Sequence, residues 1–189
     1  MNAIPNPAAN EQLENETLLT LLASSRDRFL SSFADLTEQQ AHVHPEEGRW
    51  SVIDTVEHLT IAETTMVKLL DQPRRPRAAD APNREEIFFM AGADRSRRLE
   101  SPEGARPAGR FTTLADARAQ FSSARARAIQ FVEQNREDLR ASEVTHPHPV
   151  AGNVSIYELL ILIARHADRH ALQIEEIKNS PAVRAAGKS

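Results

Sequence analysis

The stretch SIYELLILIARHADRHALQIEEIKN, Ser155–Asn179, decides the fold class. Its apolar residues recur at Ile156, Leu160, Ile163, Ala167, Ile174 and Ile177. Spacings of three and four make one stripe on an α-helix and scatter over both faces of a strand. At about 1.5 Å per residue, such a helix crosses a small domain. Ser155 stands just before the run and Glu158 three residues later. In this Ser-x-x-Glu start the hydroxyl caps free amides and the carboxylate reaches back, and Val154 occupies the staple position before the cap. The longest unbroken apolar run, Leu159–Ala164, falls far short of the roughly 20 residues a membrane span needs.

The same start appears earlier in the chain. Trp50-Ser51-Val52-Ile53-Asp54 repeats the Ser-x-x-acid pattern, with Asp as its weaker form. It opens a second helical segment, from Val52 to near Leu70, striped by Val52, Val56, Leu59, Met66 and Leu70. Two more segments carry the helical period. One runs from near Glu11 to Leu36 with Leu18, Leu22, Phe29 and Phe33. The other runs from near Leu114 to Leu139 with Phe121, Ala124, Ala128, Val132 and Leu139. Breaks fall at 37–50 (His42, His44, Pro45, Gly48), at 73–110 (Pro73, Pro76, Pro82, Gly92, Pro102, Gly104, Pro107, Gly109) and at 142–154 (Pro147, Pro149, Gly152). Within the long middle break, Glu85–Ala91 (EEIFFMA) has the composition of a short helix. These signals predict an all-α fold: a four-helix bundle with one long crossover between the second and third helices. The chain reads as one domain over 1–189, with an ordered core over 10–180 and frayed tails at 1–9 and 180–189.

Composition narrows the chemistry. The chain has 189 residues, seven histidines and no cysteine, which excludes disulfides, thiolate metal sites and a catalytic thiol. Any metal must be held by histidine and carboxylate. A net charge of -4 argues against a general nucleic-acid binder. The N-terminus has neither the basic nor the apolar segment of a signal peptide, so a cytoplasmic location is expected.

Counting from the two serine caps singles out three histidines. His58 lies seven residues after Ser51, and His166 and His170 lie eleven and fifteen after Ser155. The offsets differ by four, so the three share one angular sector relative to their helix starts. His166 and His170, at i and i+4, sit on one face with Cβ atoms about 5–6 Å apart, close enough for both rings to bind one ion at about 2.0–2.1 Å. If the two helices lie side by side, all three imidazoles converge. The competing reading is a set of core histidines with satisfied hydrogen bonds.

The string GRWSVIDTVEHLTIAE, Gly48–Glu63, resembles the second-helix motif of the DinB/YfiT-like superfamily: a Trp-Ser start, then His-Leu and an acidic residue. RHADRHALQI, Arg165–Ile174, resembles its fourth-helix motif, His-x-x-x-His followed by Gln-Ile. The likeness spans residues 10–180, with its specificity in these two segments. It implies an up-down-down-up bundle with His58, His166 and His170 as ligands of one divalent ion, nickel or zinc. Some relatives resemble transferases or isomerases that use a low-molecular-weight thiol, such as bacillithiol, mycothiol or glutathione. Three nitrogen ligands leave positions for water or substrate, the catalytic rather than the closed structural pattern. The resemblance therefore implies a metal-dependent transferase or hydrolase-like enzyme acting on a small molecule. The alternative is a non-catalytic stress-response or structural bundle with a vestigial or structural ion, acting as a homodimer.

Other residues carry weaker expectations. Glu63 falls inside the apolar arc of the second helix, which predicts a buried partner or a proton-transfer role as a catalytic candidate. Glu57 and Asp168, adjacent to or between the histidines, read as solvated charges. His42, His44, His146 and His148 form two H-x-H pairs in loops and read as exposed, with a lid role as the sharper option. Arg74, Arg75, Arg77, Arg95, Arg97, Arg98, Arg106 and Arg110 read as solvated surface, or as a fork for an anionic substrate. Gln120–Arg136 reads as an ordinary solvated helix face.

Overall fold

The computed structural model describes residues 7–91, 94–96, 100–146 and 151–187. Gly92, Arg97, Arg98, Pro147, His148 and Pro149, as well as the tail residues 1–6 and 188–189, lie outside the described residues. Four long helices build the body: α1 (Pro7–Ser32), α3 (Val52–Leu70), α5 (Leu114–Gln134) and α6 (Ile156–Lys178). Between them lie α2 (Glu38–His42), β1 (Arg75–Pro76), α4 (Glu85–Ala91), a 3-10 turn (Glu103–Ala105), β2 (Ser142–Thr145) and β3 (Asn153–Ser155), and α7 (Pro181–Ala186) follows α6. Every apolar stripe residue named above is buried. No helix among the described residues is long and apolar enough to cross a membrane.

The caps set the two helices that matter most. The Ser51 and Ser155 hydroxyls accept from the Asp54 and Glu158 amides, and both acidic side chains accept from the cap amides in return. The third helix stops at Gln134, short of the expected Leu139, because Asn135 turns out of the helix at ψ 139°. Leu139 is still buried, in the turn beyond. The expectation of a frayed end from residue 180 is corrected. Ser180 caps α7, whose Val183 is buried against the second half of the core.

Each side of the bundle is a helix pair: α1 with α6, α6 with α3, α3 with α5, and α5 with α1. The first two long helices thus stand at opposite corners. Side-chain pairs give the directions. Arg28 meets Asp168 and Lys178 meets Asp35, so α1 and α6 run parallel. Glu63 meets Arg125 and Asp71 meets Arg127, so α3 and α5 run parallel as well. Across the other sides, Asn15 bonds Asn135 while Arg125 bonds Ser25, which makes α1 and α5 antiparallel. The result is up-down-down-up.

Parallel α3 and α5 force the crossover to run back along the bundle. Arginines fasten it: Arg77 pairs with Glu158, Arg110 with Glu57, and Arg95 with Glu176. The solvated reading is therefore corrected for Arg77, which is largely buried against Glu158; Arg95 and Arg110 keep contact with solvent while carboxylates on α6 and α3 meet them. A small antiparallel sheet in the order β1-β2-β3, with Arg75 opposite Glu143 and Val144 opposite Val154, closes the end where α6 begins.

The core divides into two apolar halves. Between them lies a polar layer. Arg125 is wholly buried, and its guanidinium bonds both Glu63 oxygens at 2.5 and 2.8 Å. The same group donates to the Leu22 carbonyl, the Ser25 hydroxyl and the Ile163 carbonyl, so it touches all four long helices. The expectation that residues 120–136 form a plain solvated face fails here. Position 125 lies in the buried arc with Phe121, Ala124 and Ala128.

Candidate metal centre

His58 projects from α3, and His166 and His170 project from α6. These two helices are antiparallel neighbours, since His58 meets the two histidines while Arg77, beyond the end of α3, meets Glu158 at the start of α6. Ring centroids lie 5.5 Å apart for His58–His166, 4.8 Å for His58–His170 and 4.5 Å for His166–His170. One nitrogen from each ring lies within 4.8 Å of the other two, and among the described residues this is the cluster able to hold an ion.

Hydrogen bonds fix which nitrogens carry protons. His58 Nδ1 lies 2.7 Å from the Ala105 carbonyl. A carbonyl only accepts, so Nδ1 must donate and Nε2 must keep its lone pair. His170 Nδ1 lies 2.9 Å from Gln173 Oε1, with the same consequence for its Nε2. His170 Nε2 in turn lies 2.9 Å from His166 Nε2, and His166 Nδ1 is buried with no hydrogen-bond partner. The cluster therefore offers lone pairs at short range and leaves a buried ring nitrogen unspent. A bare polar core would be expected to satisfy such a group. A cation could take one nitrogen from each ring, so the donor set fits a metal ion.

Electrostatics keep the rings neutral, the state a metal ligand needs. Burial pushes His58 below the usual histidine range, against the pull of its Ala105 bond. Burial also pushes His166 down to about 3, with further lowering by His58, Arg169, His146 and Arg125. His170 is held well below its usual range by burial and by its two histidine neighbours. Trp50, in the staple position before the Ser51 cap, lies against His58 with centroids 4.8 Å apart.

The remaining candidates separate. Glu63 has both oxygens on Arg125 in the polar layer, which supplies the partner its buried position demands. Glu57 is 1% exposed and Asp168 7%, so the solvated reading of both is overturned. Glu57 accepts from the crossover at Ala108 and Arg110. Asp168 accepts from Arg28 of α1 and from Arg165. Neighbouring residues do point away from each other on a helix. Here, however, the crossover covers the outward side of α3, and α1 reaches Asp168. His42 and His44 are exposed and bond the Thr112 and Arg49 carbonyls. His146 is half-buried, and its charge acts on His166.

Comparison with known proteins agrees with this architecture. YuaE of Bacillus subtilis (strain 168) is 25% identical over 145 residues, 76% of this chain and 86% of its own length. The solved structure of YfiT from Bacillus subtilis, described as a probable metal-dependent hydrolase with an unusual four-helix bundle topology, superposes with a TM-score of 0.57 at 14% identity. That match covers 99% of this chain and 92% of YfiT, and it supports the fold. The model of the DinB superfamily matches residues 21–174, a span that holds all three histidines, both serine caps, the second half of α1 and all or most of the other three long helices, and the chain belongs to that superfamily.

Proposed function

We propose that this protein is a metal-dependent enzyme of hydrolase or thiol-transferase type, with one divalent ion, nickel or zinc, held by His58, His166 and His170. The observation that carries the reading is the convergence of three neutral imidazoles within 4.8 Å of one another, two with Nδ1–H committed to carbonyl oxygens. Imidazole nitrogen suits both metals. The description of YfiT as a probable metal-dependent hydrolase supports the same class.

Such an ion would polarise a substrate carbonyl or lower the pKa of a water or thiol. The chain's own residues do the positioning. The Ala105 carbonyl and the Gln173 amide oxygen hold protons on the Nδ1 atoms and so aim both Nε2 lone pairs inward. Trp50 covers one side of His58. With no cysteine in the chain, a thiol nucleophile would arrive on a small-molecule co-substrate.

Metal analysis of protein purified without a histidine tag tests the reading. One ion per chain is expected, lost in His166→Ala. Substoichiometric metal in the wild type, or unchanged content in the variant, overturns it.

A further inference from the structure

The crossover does more than connect α3 to α5. Its 3-10 turn ends at Ala105, whose carbonyl accepts the His58 Nδ1 proton at 2.7 Å. The Ser101 hydroxyl lies 3.2 Å from the same nitrogen. A backbone carbonyl can fix a histidine tautomer only if the backbone itself is held, and this segment has little apolar anchorage. The 3-10 turn contains no buried residue, and Arg106 and Ala108 are exposed.

What holds it is the residue before His58. Glu57 Oε1 accepts from the Ala108 amide at 2.7 Å and from the Arg110 guanidinium at 2.6 Å, and Oε2 accepts from the Arg110 amide at 2.8 Å. Between those two amides Gly109 takes φ 72°, a left-handed conformation of the kind that turns nearby amides toward one anion. A Cβ on Gly109 would meet nothing within 4 Å, so a side chain there would perturb only the backbone conformation.

Consecutive residues on α3 thus reach two points of one strap, Glu57 at Ala108 and Arg110 and His58 at Ala105. We propose that Glu57 is a positioning residue for the metal centre, acting through the 105–110 strap to hold the Ala105 carbonyl against His58 and so keep His58 Nε2 available as a ligand. The proposal rests on the metal-binding reading above for its consequence, but not for its geometry. The Glu57–strap–His58 chain is defined without the ion.

The test uses the full-length protein in two arms. The first reads the His58 tautomer in metal-free protein by long-range proton–nitrogen correlation at mildly alkaline pH, where the ring is neutral. Wild type is expected to show one tautomer with the proton on Nδ1. Glu57→Gln, whose amide group cannot accept from both backbone N–H groups and the guanidinium, is expected to show mixed tautomers. Gly109→Ala, which touches neither Glu57 nor His58, is expected to do the same. Arg110→Ala removes one of three bonds and is expected to shift the spectrum least. The second arm titrates cobalt(II), with affinity expected to fall about tenfold in Glu57→Gln, the low end of the range for losing an outer-shell partner of a ligand.

A purely structural Glu57 would lower stability and speed amide exchange over 105–110 while leaving the His58 tautomer and cobalt affinity as in wild type. That result overturns the proposal. If wild type takes up no cobalt, the metal reading fails, and the tautomer arm still decides whether Glu57 positions His58.

Discussion

Two polar groups are buried side by side in this bundle, and they are built on opposite rules. In the layer between the apolar halves, the Arg125 charge meets the Glu63 charge, and its remaining donors go to Leu22, Ser25 and Ile163. Donors and acceptors are matched from within the chain. A few residues along α3 and α6, three histidines present nitrogens to one another and leave one without a partner. The first cluster needs no ligand to be satisfied. The second gathers one nitrogen from each of three rings within 4.8 Å, a donor set that fits a cation.

The largest expected effect falls on the balanced cluster. Glu63→Ala leaves Arg125 charged and unpaired in the interior and should cost about 3–5 kcal/mol, read by denaturant unfolding. Replacing both partners, Glu63→Leu with Arg125→Met, should recover most of that loss. The double variant should still bind metal. If it cannot, the two clusters are not separable and the comparison breaks.

Metal should act on the other cluster alone. At a hundredfold excess over its dissociation constant, zinc should raise unfolding stability by about 2.7 kcal/mol in wild type. It should add nothing in His166→Ala or His170→Ala. A chelator should reverse the gain, measured as a shift of the thermal midpoint.

Acid separates them next. The folded-state histidine values are lowered, so an unfolded chain takes up protons that the folded triad refuses. The stability this reflects is complete above about pH 6.5, the ordinary histidine value. Metal-free protein should lose stability as pH falls from there toward the folded His166 value of about 3. Each refusing histidine contributes up to about 1.4 kcal/mol per pH unit. Unfolding midpoints across that window, compared with His166→Ala, check the slope. A flat profile would mean that the triad is protonated when folded.

The smallest effect is Ser155→Ala, which removes the hydroxyl cap of α6 at a cost of about 1 kcal/mol and leaves metal stoichiometry at wild type.

The helices and the triad were legible because each rests on local order. Stripes at helical spacing marked the buried faces, and two serine caps fixed where α3 and α6 begin. The reason for convergence was less legible. Equal angular sectors from the caps do not bring histidines together when the helices are antiparallel. What does is complementarity along the axis. His58 lies seven residues after its cap on the 19-residue α3, while His166 and His170 lie eleven and fifteen after theirs on the 23-residue α6. Their axial positions sum to about one helix length. The crossover was opaque for a different reason. Glu57 and Asp168 look solvated until partners arrive from 53 and 140 residues away, and no local pattern encodes those meetings. Arg125 did have a signal, because its position falls inside the apolar arc of α5.

The diagonal placement of the first two long helices also has a consequence for synthesis. The most extensive helix pairing among the described residues joins α1 to α6, the long helix of this bundle that is synthesised last. Until α6 appears, the Leu22 and Phe29 face of α1 has only α5 to cover it. Neither the Asp168–Arg28 pair nor the triad can form before then. Contacts so distant along the chain slow folding relative to a bundle of sequential hairpins. The histidine cluster is thus a late event, assembled only when α6 has joined the helices before it.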